Sequence, residues 1–258
     1  MEVRILKDKS VIHKFLSSNP SLFLYLIGDL DDFFWPYTRW FAALENGSIK
    51  SIGLFYSGES PAFLLFHEGD PAYPDFLIRS VKKELPDNFY VHLSPGLVNI
   101  FGSENIVKNY GHNLRMVLVR KPEPVYDKNI RRLGLSDLEE MKKFYISSYP
   151  DNWFDSRMVE TGKYFGYFIN SNLAGVAGIH VYSREYRIAA LGNIATHPDF
   201  RGKRIAYKLT SALCKDLGND TDTIGLNVKS DNLPAIKCYE NAGFEIRYSY
   251  DECLIRNN

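Results

Sequence analysis

The sequence predicts a mixed α/β fold divided into two domains, and three observations carry that reading. Short apolar runs rich in β-formers alternate with helix-patterned segments along the second half of the chain. A proline-bearing seam, Lys121-Pro122-Glu123-Pro124, fits neither a helix nor a central strand. The 258 residues are 45% hydrophobic and 14% aromatic, enough for well-packed cores. At ~100–200 residues per domain this length suits two small domains or one large one, and the seam selects two: residues 1–123, the smaller, and 124–258.

Each element of the second domain has a local reason. Ile130 to Leu133 reads as its first strand, and Ser136-Asp137-Leu138-Glu139 matches a capping box opening a helix to about Ser147. Tyr164 to Ile169 and Ala174 to Tyr182 are strands joined by the turn-prone Asn170-Ser171-Asn172, and Tyr186 to Thr196 is a third. After Pro198 and Gly202 a helix runs from about Ile205 to Leu217, with Leu209 and Leu213 on its buried stripe and Gly218 as its stop. Thr223 to Val228 is a strand. Pro234 and Gly243 bracket another helix, and Phe244 to Tyr250 and Glu252 to Arg256 close the pattern as two strands.

The first domain echoes part of this order. Residues 41–54 align without gaps to residues 165–178 as apolar strand, Asn-bearing turn and apolar strand with small residues. Such a pattern fits any β-hairpin, and it also fits a diverged copy of the second domain. The copy would lack a Gly-basic loop after its third strand, Ala62 to Phe66, where His67-Glu68-Gly69-Asp70-Pro71 stands instead.

Composition excludes several functions. With 31 basic and 31 acidic side chains the formal charge is zero, which argues against a nucleic-acid binder. Cys214, Cys238 and Cys253 form neither a disulfide framework nor a zinc signature, so no metal is expected. The longest apolar run, Leu22 to Ile27, falls far short of the ~20 residues that span a bilayer. The N-terminus lacks the layout of a signal peptide. A soluble, cytoplasmic protein is the expectation.

Chemistry concentrates between Asn193 and Ala206. A strand ends there, a loop with Gly202 and the bases Arg201, Lys203 and Arg204 follows, and a helix starts. Unpaired backbone N–H groups and the positive dipole end make a helix start a ready phosphate site. One strand later comes Asn232-Leu233-Pro234-Ala235-Ile236-Lys237-Cys238-Tyr239-Glu240-Asn241-Ala242-Gly243-Phe244.

Together the two segments resemble the GNAT superfamily of acyl-CoA-dependent N-acyltransferases. Arg201 and Ala206 occupy the two ends of its pyrophosphate loop, Arg/Gln-x-x-Gly-x-Gly/Ala. Asn232, Ala235, Tyr239, Gly243 and Phe244 match its later motif. The resemblance covers roughly residues 128–256. It implies a central mixed sheet with a V-shaped cofactor gap between the strands holding Ile194–Thr196 and Thr223–Val228. One position departs from the pattern: the loop's usual inner Gly is Arg204, which is expected to have helical dihedrals at the start of the helix.

The resemblance also implies roles. Arg201, Gly202, Lys203, Arg204, Ile205 and Ala206 would hold the coenzyme A diphosphate, with Asn232, Ala235 and Tyr239 completing the cofactor site. Backbone at Ile194, Ala195 and Thr196, after a strand bulge for which Gly192 is the expected site, would orient the thioester. Tyr239 would protonate the departing thiolate. No acid stands in the strand Tyr186 to Asn193 to act as base; His180 in the neighbouring strand and Asn193, through a water, are the candidates near the acceptor. The implied activity is acetyl transfer from acetyl-CoA to an amine on a small molecule, a protein N-terminus or a lysine. The first domain would cover the acceptor side, with Tyr25, Trp35, Tyr37 and Trp40 as apolar contributors. The alternative is a non-catalytic acyl-CoA-binding or protein-interaction module.

Overall fold

The computed structural model describes residues 1–58, 60–123, 125–150 and 152–257, so Pro124 of the seam lies outside the described residues. The chain forms two compact units. The first comprises residues 1–115, 229–231 and 247–258; the second comprises 116–228 and 232–246.

In the first unit, β1 (Glu2–Leu6) leads to α1 (Lys9–Leu16), whose N-cap Asp8 accepts from the backbone N–H groups of Ser10 and Val11. α2 (Leu24–Gly28), β2 (Thr38–Glu45), β3 (Ser48–Tyr56), β4 (Ala62–Leu65), α3 (Ala72–Val81) and β5 (Asn88–Leu93) follow. β1 to β4 pair antiparallel in sequence order, and β4 pairs parallel with β5. The core gathers Phe41, Phe63, Phe89 and Val91 from the strands against Leu77 and Ile78 of α3. Trp40, on the opposite face of β2 from Phe41, is also buried, 1% exposed and stacked on Trp35. β6 (Ile106–Leu118) then runs on past the last residue of this stretch of the unit.

The second unit repeats that order. β7 (Ile130–Arg132) precedes α4 (Leu138–Ser148); β8 (Phe165–Ile169), β9 (Asn172–Ser183) and β10 (Ile188–Thr196) lead to α5 (Ile205–Leu217) and β11 (Thr223–Lys229). β7 to β10 pair antiparallel in sequence order, and β10 pairs parallel with β11. The hairpin echo is therefore structural. Both turns carry two positive φ angles, at Asn46-Gly47 and Asn170-Ser171, the pattern of a twist-matched two-residue turn. The register slips at the same aligned place, between Ala43 and Leu44 and between Tyr167 and Phe168.

Three sequence expectations change. Ser136 does not cap α4: the N-cap position is Asp137, which makes no side-chain bond to the helix, and its carboxylate instead closes the preceding turn by accepting from the Gly134 N–H at 2.9 Å. After α6 (Leu233–Asn241), residues 244–256 form one strand, β12 (Phe244–Arg256), where two were expected. Asp251 does not interrupt it, because its carboxylate accepts from Gly96 N–H at 3.0 Å and lies 2.6 Å from His112 Nδ1. Nor do the units follow an unbroken division at 123/124: residues 251–256 pair with β5, which returns the end of the chain to the first unit.

Among the described residues no helix is long and apolar enough to cross a membrane.

Candidate active site

β10 and β11 are paired only from Ile188–Thr223 to Leu191–Leu226 among the described residues, although β10 continues to Thr196. Beyond Leu191 the two parallel strands part, giving the expected V. Ile194, Ala195 and Thr196 lie along the open stretch of β10, and the buried Thr196 Oγ1 has no hydrogen-bond partner among the described residues. α5 packs across β9 and β10, so tightly that a Cβ at Gly175 would stand 2.6 Å from Ile205 Cγ2. Lys163 holds the far end of this helix through Asp216 and Asp220, each at 2.9 Å, and Lys208 ties its first half to Asp127 at 2.8 Å. Its start is thus fixed beside the opening.

The loop entering α5 is built from backbone of alternating hand: Gly202 (φ 77°) and Arg204 (φ 58°) are left-handed, and Lys203 between them is not. Such alternation turns successive N–H groups toward one point and makes an anion-binding concavity. Arg204 is therefore not helical, as the sequence reading held; it is the left-handed N-cap of α5. For an L-residue that conformation costs about 1–2 kcal/mol, which explains why glycine is the usual occupant. The Arg204 side chain turns out over the Tyr207 ring at 4.8 Å. Arg201, Lys203 and Arg204 are exposed, and none has an acidic partner among the described residues. These features fit a diphosphate.

The second motif meets the first. Arg204's charge bears on Cys238 of α6, partly opposing the burial that pushes this thiol up to about 11 and keeps it protonated. Asn232 caps α6, its side chain accepting from the Ala235 N–H at 3.3 Å. Tyr239 faces the inner side of α6, 9% exposed, with its ring edge-on to Phe244 at 6.1 Å. Gly243 has φ 94°, and a Cβ there would stand 2.0 Å from the Arg120 carbonyl oxygen, so only glycine fits.

Two bulges lie at the mouth of the V. In β9, His180 is the extra residue between Val181, opposite Ala190, and Ile179, opposite Leu191. In β10 the slip falls between Gly192 and Ala195, and Asn193 carries the positive φ of 54°, so the bulge sits one step past Gly192. Gly192 serves a different end: a Cβ there would lie 2.3 Å from the His180 ring. The two bulged residues meet, His180 Nε2 lying 3.3 Å from Asn193 Oδ1.

Asn193 is 2% exposed, so its amide belongs to a buried network. Its Nδ2 donates to the Tyr164 hydroxyl at 3.0 Å, Tyr164 donates to the Ile179 carbonyl at 2.8 Å, and Tyr145 donates to the Asn193 carbonyl at 2.8 Å. Burial raises both phenol pKa values, that of Tyr145 far above 10, so both remain donors. Trp153 closes the outer side, edge-on to His180 at 5.7 Å. Sequence reasoning missed Tyr145, Tyr164 and Trp153, since aromatics before a strand or in a helix read as core. The available signal was glycine inside strands: a Cβ at Gly178 would lie 2.0 Å from the Tyr164 ring.

The corresponding place in the first unit is closed. Ser94 N–H donates to the Leu65 carbonyl at 3.0 Å, and His67 N–H donates to Ser94 Oγ at 2.9 Å, stapling the ends of β4 and β5. A cavity of about 290 Å³ lies at these ends, with His67 and Ser94 in its wall. The loop into α3 carries Glu68 and Asp70 in place of bases.

Residues 130–244 match the family model of the acetyltransferase (GNAT) family. A search of curated proteins found no match. Among solved structures, a Drosophila protein is similar at 12% identity and TM-score 0.75, covering 99% of both chains. An acetyltransferase of the GNAT family from Colwellia psychrerythraea is 14% identical with TM-score 0.60, over 99% of this chain and 100% of its own. A tandem GNAT protein of the clavulanic acid biosynthesis pathway is 12% identical with TM-score 0.57, over 100% and 99%. These likenesses extend the shared fold along nearly the whole length of the chain, and within it residues 130–244 form a domain matched by the acetyltransferase (GNAT) family.

Proposed function

We propose that the second unit binds acetyl-CoA and transfers its acetyl group to an amine, carried by a small molecule, a protein N-terminus or a lysine. The observation that carries this reading is the parting of β10 and β11 beside a basic loop of alternating hand at the start of α5.

Arg201, Lys203 and Arg204 neutralise the diphosphate, while Gly202 and the first N–H groups of α5, at Ile205 and Ala206, point donors at it. Backbone at Ile194, Ala195 and Thr196 has lost its β11 partner and is left to orient the acyl arm. Asn232 and Ala235 fix the start of α6 and so the placement of Tyr239, the proposed acid for the leaving sulfur. Acetyl-CoA itself supplies an acyl group activated as a thioester.

Calorimetry and a thiol-release assay test this together. The wild type should bind coenzyme A and release thiol with a subset of an amine library. Arg201→Glu with Lys203→Glu should weaken binding about 100-fold or more while the fold persists, because repulsion replaces charge-assisted contacts. Unchanged affinity in the folded double variant would overturn the cradle. Binding without thiol release for any amine would mark a non-catalytic acyl-CoA-binding module.

A further inference from the structure

Resting on the cofactor reading of the loop before α5, we infer that Phe200 and Tyr207 are positioning residues of the diphosphate cradle. Each ring seats one loop cation, Lys203 and Arg204 respectively, and holds it ready for phosphate with donors to spare.

The two rings flank the loop in sequence. Lys203 Nζ lies 5.1 Å from the centre of the Phe200 ring, and the Arg204 guanidinium lies 4.8 Å from that of Tyr207. Both distances are within the ~6 Å at which a ring face attracts a cation. The rings themselves are mounted on fixed backbone. Phe200 closes a tight turn, its N–H donating to the His197 carbonyl at 2.9 Å, and the His197 N–H donates in turn to the Ala174 carbonyl of β9 at 2.9 Å. The His197 ring packs against Phe200 with centres 5.8 Å apart. Tyr207 belongs to the first turn of α5, the helix that Lys208 ties to Asp127 at 2.8 Å. Both rings are half-buried, while the cations they seat are exposed.

An aromatic seat suits this place better than a carboxylate. A cation paired with an acid brings to the site a negative charge that a diphosphate must displace or face. The ring quadrupole holds the cation and leaves its charge whole. Elsewhere in the same unit the arrangement differs. Arg131 and Lys208 also lie over rings, those of Phe168 and Tyr167, yet each is bound to a carboxylate as well, Asp137 and Asp127. Lys203 and Arg204 have their rings and no acidic partner among the described residues. Asp199, the nearest acid in sequence, lies 3.7 Å from His197 Nδ1.

Seating also spares the donors. A guanidinium stacks by its face, so the N–H groups along its edge still point outward, and an ammonium turned to a ring by one N–H keeps two more. The benefit is entropic. A long basic side chain gives up rotamer freedom when it closes on a ligand, and one already laid on a ring has surrendered part of it beforehand. The loop's usual glycine at position 204 would offer no side chain to seat.

Two measurements test the inference. In ligand-free protein, ring currents should move the proton signals of the Lys203 Cε and Arg204 Cδ methylenes upfield of their random-coil positions. Phe200→Leu should return only the Lys203 signals, and Tyr207→Leu only those of Arg204, a selectivity that general loss of structure would not produce. Random-coil positions in the wild type would overturn the seats. Calorimetry with coenzyme A then reads their effect: each leucine variant should bind about two- to fivefold more weakly, the worth of one exposed cation–ring contact. Tyr207→Phe, which keeps a ring, should bind as the wild type does. Leucine variants that bind as tightly as the wild type, or more tightly, would overturn the inference alone. A wild type that does not bind coenzyme A would overturn it together with the cofactor reading beneath it.

Discussion

The Tyr145 hydroxyl donates to the main-chain carbonyl of Asn193 at 2.8 Å, tying α4 to the one residue of β10 whose φ is positive. The bulge is thereby held from outside its own sheet. Tyr145→Phe removes only the donor and leaves a buried carbonyl short of its partner, a loss of about 1–3 kcal/mol. The urea midpoint should fall with an unchanged slope. An unmoved midpoint would mean that the bulge needs no such support.

Arg204 offers a test of opposite sign. Glycine takes its left-handed conformation without steric cost, so Arg204→Gly should stabilise the ligand-free protein by up to about 1 kcal/mol. The entropy glycine restores to the unfolded chain trims that gain. Coenzyme A affinity should fall at the same time, because one positive charge leaves the loop. A variant that is less stable and binds as well as the wild type would reverse both inferences.

Asp29 in the first unit is 8% exposed, and burial pushes its carboxyl up to about 8. A carboxyl raised in the folded state holds its proton more tightly there than in the unfolded chain. Its contribution is therefore complete below the ordinary value of 3.8 and is lost as pH rises through about 8. Stability should decline across that window, and Asp29→Asn should flatten the decline and exceed the wild type at pH 8 to 9. Parallel stability curves for the two proteins would show that Asp29 titrates normally.

Tyr239→Phe keeps the ring contact with Phe244 and removes one oxygen. If the phenol protonates the thiolate, turnover should drop by ~10²–10⁴-fold, less if the thiol leaves well unaided. The sharper readout is the alkaline limb of the pH profile, which the Phe variant should lack. Equal turnover and an equal limb would make Tyr239 a packing residue only.

Elements written in short stretches were legible in the sequence. The stripe of Leu209 and Leu213 ends in buried residues of α5, Asn170-Ser171 forms its turn, and the loop and α6 motifs stand one strand apart as read. Arg204 was misread because a residue's dihedrals at a helix entry depend on how the loop before it arrives, not on the residue itself. β12 was split at Asp251 because a buried carboxylate is tolerable only once Gly96 and His112 are beside it.

What the sequence by itself determined is the order of strands and helices and the basic loop ahead of α5, since periodicity, turn chemistry and capping act over a few neighbouring residues. The meeting of His180 with Asn193 was decided only by tertiary structure. It requires one extra residue in β9 and another in β10, and such slips arise where rings from elsewhere must pass. Tyr164 lies against Gly178 and His180 against Gly192, and no local propensity encodes that fit. Strand register is fixed by the packing of facing side chains brought together from distant parts of the chain, so the site's chemistry appears only once the two strands are paired.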